Sequence, residues 1–327
     1  MYKEHDNKSV ISLSGVILLT LLVGALVWIP TYLFDTPTIH TAGGGTLYRA
    51  LTPMLTQMTA YAPLVSWAIM LGISIWQCWQ CAHLRLVRST SLLPILFNVL
   101  LFGMFVSEHS ITPGLPAAIC LYIAFMQLIS PCNYEDSLWH AVETGFFVAL
   151  SSLFAPTYVL YLPICWIGMV LLNQFKLPHL LASLMGMLIP YILLFSFWFL
   201  TNQNHLIIYQ WEVLQHQFCL DWLWSTHETI LLALMGITLL VALLGFMHQH
   251  TDRLHPRAVS STCFALSFAS LLLAFLYHNA HHTPALVLFT TLVLTQYFHY
   301  RSKKATTVFF YALTICLLFV YLTQFKV

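Results

Sequence analysis

The sequence predicts an all-α, polytopic membrane protein of about eleven transmembrane helices, ten to twelve when one hairpin is left open. Three observations predict it. The chain of 327 residues is 59% hydrophobic and only 7% charged, against roughly 25% charged in soluble globular domains. Its apolar residues run on for about 16 to 25 positions without alternating, which fits helices and not the strands of a barrel. Its lysines and arginines gather in alternate connections.

The polar stretch from Met1 to Ser9 carries Lys3 and Lys8 and precedes an apolar run over 10–34 with no small-residue cleavage site behind it. That run reads as a retained signal anchor and first helix, because a removable signal peptide has a shorter apolar core. Further spans are expected at 59–81, 91–106, 114–129, 139–154, 157–173, 179–200, 228–247, 258–277, 283–298 and 306–324. Each is an apolar run near the crossing length, about 20 residues at 1.5 Å per residue. Residues 1–327 therefore read as a single integral-membrane domain, with no room for an appended soluble one.

Two connections are longer than turns. Residues 35–58 hold Asp35, His40, Gly43-Gly44-Gly45, and then Leu47, Leu51, Met54, Leu55 and Met58 at helical spacing. This predicts a helix lying on or dipping into the outer membrane face. Residues 201–227 are rich in His and Trp (His205, Trp211, His216, Trp222, Trp224, His227), a composition suited to the headgroup layer.

With the N-terminus in the cytoplasm, the inner side collects Lys3, Lys8, Arg85, Arg88, Lys176, Arg253, Arg257, Arg301, Lys303 and Lys304, and the outer side keeps Arg49 and Lys326. Ten against two follows the positive-inside rule. It implies a multi-pass protein of a bacterial inner membrane with its C-terminus outside and membrane lipids as partners. A water-soluble enzyme is excluded, since 23 charged side chains cannot cover a water-facing surface. A nucleic-acid binder is excluded by the net charge of +1 and the lack of a basic stripe.

Histidine is the loudest chemical signal, with 16 copies. His278-Asn279-Ala280-His281-His282 imitates a histidine box of membrane di-iron oxygenases, and His250 to His255 imitates another. The helix expected at 258–277 would hold them about 30 Å apart, so they cannot share one centre. No di-iron site, haem or assigned metal is expected, although His278, His281 and His282 leave a looser single-metal role open. Cys78-Trp79-Gln80-Cys81 lacks the second pair a zinc site needs and reads as two small hydrophobes in a helix. Glu143 lies about one turn inside 139–154 with His140 on the same face. Such a pair is a proton-relay candidate, or else a pair that reaches interfacial water. Asp35 and Glu108 close the first and third spans at one aqueous boundary, beside His40 and His109. Carboxylates there can accept a proton from a sugar hydroxyl or hold a metal against a pyrophosphate leaving group.

The order of parts, a first helix, a long outer loop with an acid, then short-looped helices with a second acid, is similar to the C superfamily of membrane glycosyltransferases. Ser91-Leu92-Leu93-Pro94 through Glu108, the stretch from Gly145 to Pro156, and Tyr161-Leu162-Pro163 resemble helices three to six of that group. Residues 85–200 also resemble an uncharacterised integral-membrane family of Bacteroidetes. They do so through the run Arg88 to Pro94, Ser152-Leu153-Phe154-Ala155-Pro156, Leu162-Pro163 with Trp166, and Leu188-Ile189-Pro190-Tyr191. That family carries no assigned activity. The first resemblance implies Asp35 and Glu108 as catalytic residues, with His40, Arg49 and His109 binding substrate. It also implies a divalent metal and a polyprenyl-phosphate-linked sugar. Asp35 is followed by Thr36 and Pro37 where active members carry a second acid, so a catalytically silent relative is the other form of this reading.

Three function classes follow. A lipid-linked sugar transferase of cell-envelope biogenesis would seat its lipid tail beside the helix 46–58. A non-catalytic membrane subunit of an envelope or secretion assembly would bind other envelope proteins. A proton-coupled transporter would relay protons through His140 and Glu143 and needs a polar cavity reaching them.

Overall fold

A computed structural model describes residues 17–18, 20–24, 28, 43–57, 59–83, 92–105, 111–130, 137–203, 205–217, 226–247, 254–277, 280–300 and 304–324. Among these residues there is helix and turn but no strand. The helices are α1 (Thr46–Gln57), α2 (Ala62–His83), α3 (Leu93–Met104), α4 (Gly114–Ile129), α5 (Ser137–Phe154), α6 (Tyr161–Leu171), α7 (Leu177–Leu200), α8 (His205–Gln217), α9 (Thr226–Met247), α10 (Leu254–Tyr277), α11 (Thr283–Tyr300) and α12 (Lys304–Gln324). Short 3-10 turns occupy Thr59–Tyr61, Pro156–Leu160 and Ala280–His282.

Among the described residues four helices are long and apolar enough to cross a membrane: Ala62–His83, Leu177–Leu200, Glu228–Phe246 and Arg257–Tyr277. Six more apolar helices are shorter. The difference is clearest in α3, whose 12 residues extend only about 18 Å at 1.5 Å per residue. All but one of its side chains are buried, so its ends are enclosed by protein. The expected run 157–173 likewise begins as a 3-10 turn and becomes α-helix only at Tyr161. One expectation was incomplete: the connection 201–227 contains a further helix, α8.

α11 is the axis of the bundle, with every described side chain from Thr283 to Phe298 buried. Against it lie α3, α4, α9 and α10. At the periphery, α7 shows the packing logic of a helix without water around it. Its inward face presents His179, Ser183, Gly186 and Pro190, one every three or four residues, while Leu181, Met185, Leu188, Ile192 and Leu193 face outward. Small and polar residues inside with large apolar residues outside is the arrangement expected where lipid is the solvent.

Two devices set which helices meet. The first is a buried polar chain. Asn98 Nδ2 on α3 donates to Gln77 Oε1 on α2 at 2.6 Å, Gln77 Nε2 donates to the Leu288 carbonyl on α11 at 3.1 Å, and Thr291 Oγ1 donates to Asn98 Oδ1 at 2.9 Å. Three helices are thereby tied by side chains that have no water to bond instead. The second is close approach of α5 and α7. A methyl group at Gly145 would collide with the Ser183 carbonyl, and one at Gly186 would collide with the Val142 carbonyl. The two contacts are reciprocal, so neither helix can yield without moving the other.

Gly186→Ala should therefore lower thermal stability in detergent by about 1–3 kcal/mol, the range for overpacking a close contact. Gly72→Ala on α2 is the control, because a methyl there meets nothing within 4 Å and the better helix former should be neutral or add up to about 1 kcal/mol. Equal melting temperatures for the two variants would remove the close-packed crossing as a source of stability.

Candidate functional site

One end of the bundle brings together α1, α8, the end of α5, the 156–160 and 280–282 turns, and residues 111–114. The chain enters α1 through the triple glycine. Gly43 has φ 73°, a left-handed conformation that glycine adopts freely. Gly45 N–H donates to the Phe154 carbonyl at 2.7 Å, and a side chain at Gly45 would strike the Leu153 backbone. Gln210 on α8 completes this joint. Its Oε1 accepts from Thr46 N–H at 2.9 Å and its Nε2 donates to the Ser152 carbonyl at 3.0 Å. A single amide thus satisfies an orphan donor in the first turn of α1 and a carbonyl near the end of α5.

Two tyrosines extend the joint. Tyr48 O–H donates to the Ile111 carbonyl at 2.6 Å, which ties α1 to the segment after α3. Burial pushes the Tyr48 hydroxyl up to about 12, so it remains a neutral donor. Tyr209 O–H reaches the Gly44 carbonyl at 3.4 Å, and the Arg49 guanidinium lies 4.3 Å over the Tyr209 ring. Arg49 is exposed and has no carboxylate partner among the described residues. A contact over the ring face does not use up the five N–H donors of the guanidinium, which can serve an oxygen ligand.

Beside this joint runs a groove of about 560 Å³ between α7, α8 and the 156–160 turn. Its walls are Pro156, Val159, Tyr191, Phe195, Ile208, Trp211 and Leu214, together with Gln210. Ser152 O–H donates to the Ala149 carbonyl at 2.6 Å, so in the 2.6 Å contact between Ser152 Oγ and Tyr191 the tyrosine must be the donor.

The same end holds a buried histidine in an aromatic cage. The His282 ring stacks on Tyr158 at 5.1 Å, with Tyr161 at 5.8 Å and Tyr277 at 6.1 Å. Tyr161 O–H donates to Ser270 Oγ at 3.0 Å, and Ser270 in turn donates to the Leu266 carbonyl. His282 Nδ1, 3.4 Å from the Tyr161 oxygen, is therefore the donor in that contact. Burial, aided by His281 alongside, pushes the imidazole down to about 3 and keeps it neutral.

The residues singled out by sequence divide three ways. Asp35, His40, Glu108 and His109 lie outside the described residues, as do His278 and His250. Arg49 sits in the joint. His140 and Glu143 lie at the other end of α5, about 20 Å from Phe154 by helical rise. There His140 Nδ1 is 3.3 Å from Glu143 Oε2 and 3.2 Å from Gln127 Oε1, and Trp139 Nε1 donates to Glu143 Oε1 at 2.8 Å. Both side chains are about a quarter exposed, at 23% and 28%. The void beside His140 measures about 10 Å³, room for a single water. Cys78 and Cys81 are free thiols within α2. No group of three metal-capable side chains forms among the described residues. Sequence reasoning missed Tyr48, Tyr209, Gln210 and the cage tyrosines, and the nearest signal to them is the polar-aromatic run Tyr209-Gln210-Trp211.

Folded His282 takes a proton only near pH 3, whereas a solvated imidazole does so near 6.5. Between those values the unfolded state binds the extra proton, so this residue's contribution to stability falls as pH is lowered through that window. The melting temperature of the wild type should drop between about pH 7 and pH 5, and His282→Phe, which carries no proton, should drop less. Parallel curves would show that His282 is not the cause.

Neither a curated protein nor a solved structure matches this chain. A family model does match residues 47–327, which take in α1 from its second residue, Gln210, the groove and the cage, while Asp35 and His40 precede it. The chain belongs to that family, described as a family of unknown function, DUF6427.

Proposed function

We propose that this protein is a multi-pass inner-membrane protein of cell-envelope biogenesis that transfers sugar from a polyprenyl-phosphate carrier. The observation that carries the reading is the Tyr48–Ile111 hydrogen bond. It joins the helix that follows the Asp35 loop to the segment that follows Glu108. Glu108 is three residues from Ile111, so chain length alone keeps it within about 11 Å of that residue. The reading takes Asp35, in the connection before α1, to act at the same end as Glu108, as a base and a metal or substrate holder require.

In this reading Asp35 takes the proton of the acceptor hydroxyl, and Glu108 holds the donor or its divalent metal. His40 and His109 line the reaction space. Arg49 supplies a cation with N–H donors for a phosphate oxygen, and the carrier's tail lies along the exposed Leu51 and Met54 of α1. The full count of eleven spans, with N-terminus inside and the α1 end outside, belongs to the same proposal and rests on the ten-to-two division of cations.

Asp35→Ala and Glu108→Ala, each in the host, should reduce surface polysaccharide or glycoprotein glycans, because loss of a general base slows transfer by about 10²–10⁴. Glu143→Gln, at the opposite end, should leave them intact. Normal glycans in both acid variants at normal protein levels would end the transferase reading.

A further inference from the structure

The groove between α7 and α8 is built for a different ligand from a sugar or a phosphate. The polar groups of its wall already have protein partners. Gln210 uses its carbonyl on Thr46 and its amide on Ser152, and Tyr191 gives its hydrogen to Ser152. What remains facing an occupant is hydrocarbon and ring: Pro156, Val159, Phe195, Ile208 and Leu214, with Trp211 at 62% exposure. An apolar lining of this kind holds an occupant by close packing against its chain, not by directed bonds.

Size narrows the occupant. A space of about 560 Å³ falls within the roughly 300–1,000 Å³ of ligand clefts, and its hydrocarbon walls suit an acyl chain. Charge narrows it further. Ile208 and Gln210, both in the wall, flank Tyr209, and Tyr209 carries the Arg49 guanidinium on its face. A cation with no carboxylate partner among the described residues is therefore held by the same helix, α8, that walls the slot, one position from two of its lining residues. This is the complement of an anionic lipid, whose charge and chain are joined in one molecule.

We propose that the groove binds one acyl chain of an anionic membrane phospholipid, with Arg49 holding its phosphate. The site serves a lipid of the bilayer itself; it shares Arg49 with the sugar-transfer reading, and the groove residues Val159 and Ile208 belong to it alone. Gln210 places it in mechanical contact with the joint between α1 and α5, so an occupied groove buttresses the wall on which the first turn of α1 rests.

The test uses the full chain reconstituted in nanodiscs of equal parts phosphatidylglycerol and phosphatidylcholine, then released into detergent for native mass spectrometry. The wild type should retain about one phospholipid per chain, with phosphatidylglycerol favoured over phosphatidylcholine by roughly threefold to fivefold, the scale of one exposed charge contact. Ile208→Trp narrows the groove from an exposed position, 61% accessible, and should abolish retention without lowering the melting temperature. Val159→Phe, from the facing turn, should do the same. Arg49→Gln should keep the retained lipid and lose the headgroup preference. Retention unchanged in both groove variants would overturn the proposal, as would a retained polyprenyl phosphate or no retained lipid in the wild type. Surface glycans measured on the same variants separate the two readings, since glycan loss in Asp35→Ala with normal lipid retention, or the reverse, bears on one and not the other.

Discussion

Helices whose outer faces are as apolar as a bilayer gain little by choosing one neighbour over another, so hydrophobic burial cannot by itself specify this bundle. The specifying contacts are the ones lipid cannot replace. Asn98 donates to Gln77 and accepts from Thr291, and the Leu288 carbonyl accepts from the Gln77 amide. Separated, these groups would be left without partners in hydrocarbon, which raises the free energy of every alternative arrangement of α2, α3 and α11. The reciprocal contacts of Gly145 and Gly186 act on a second pair, α5 and α7, by letting backbones approach where any side chain would hold them apart.

The end that carries the candidate site takes its shape from these choices. Because α5 and α7 are locked together, the carbonyls near the end of α5 stand at defined positions, and the Gly45 N–H and Gln210 amide dock on them. That docking orients α1, and α1 in turn presents Tyr48 to Ile111 and Arg49 to Tyr209. A chain of contacts therefore runs from the helix crossing to the exposed cation, its middle links backbone groups that need a partner and its last a guanidinium over a ring. The buried His282 cage closes the same end from the other side, since Tyr158 O–H binds the His281 carbonyl at 2.7 Å and Gly114 packs on the His281 backbone.

Much of the fold was legible, and the failures have physical causes. Long apolar runs announce helices because lipid leaves the backbone no other way to satisfy itself, and the described helices fall within about four residues of the expected runs. Run length did not reveal that α3 is only 12 residues and enclosed by protein, because burial in protein and burial in lipid select the same side chains. The helix α8 stayed hidden since His205, Gln210, Glu212 and Gln215 interrupt its apolar residues. In the candidate site, Arg49 was legible as a cation in a connection with no other lysine or arginine. Gln210 carried no signal, because an amide in an aromatic segment looks the same whether it clamps two helices or faces water. The His281-His282 pair was visible as a cluster, yet two of the three tyrosines that enclose it, Tyr158 and Tyr161, come from more than a hundred positions away.

By itself the sequence determined the solvent of this protein, its helical character, the sorting of its charge and the glycine-rich entrance to α1. These follow from composition and local pattern, which act on each residue without reference to distant ones. Only the tertiary structure decided that Gln210 joins α1 to α5, that Tyr48 links two connections bearing acids, and that α7 and α8 leave a chain-sized slot between them. Those outcomes depend on pairs of groups far apart along the polypeptide, and a hydrogen bond or a void exists only once both sides are in place.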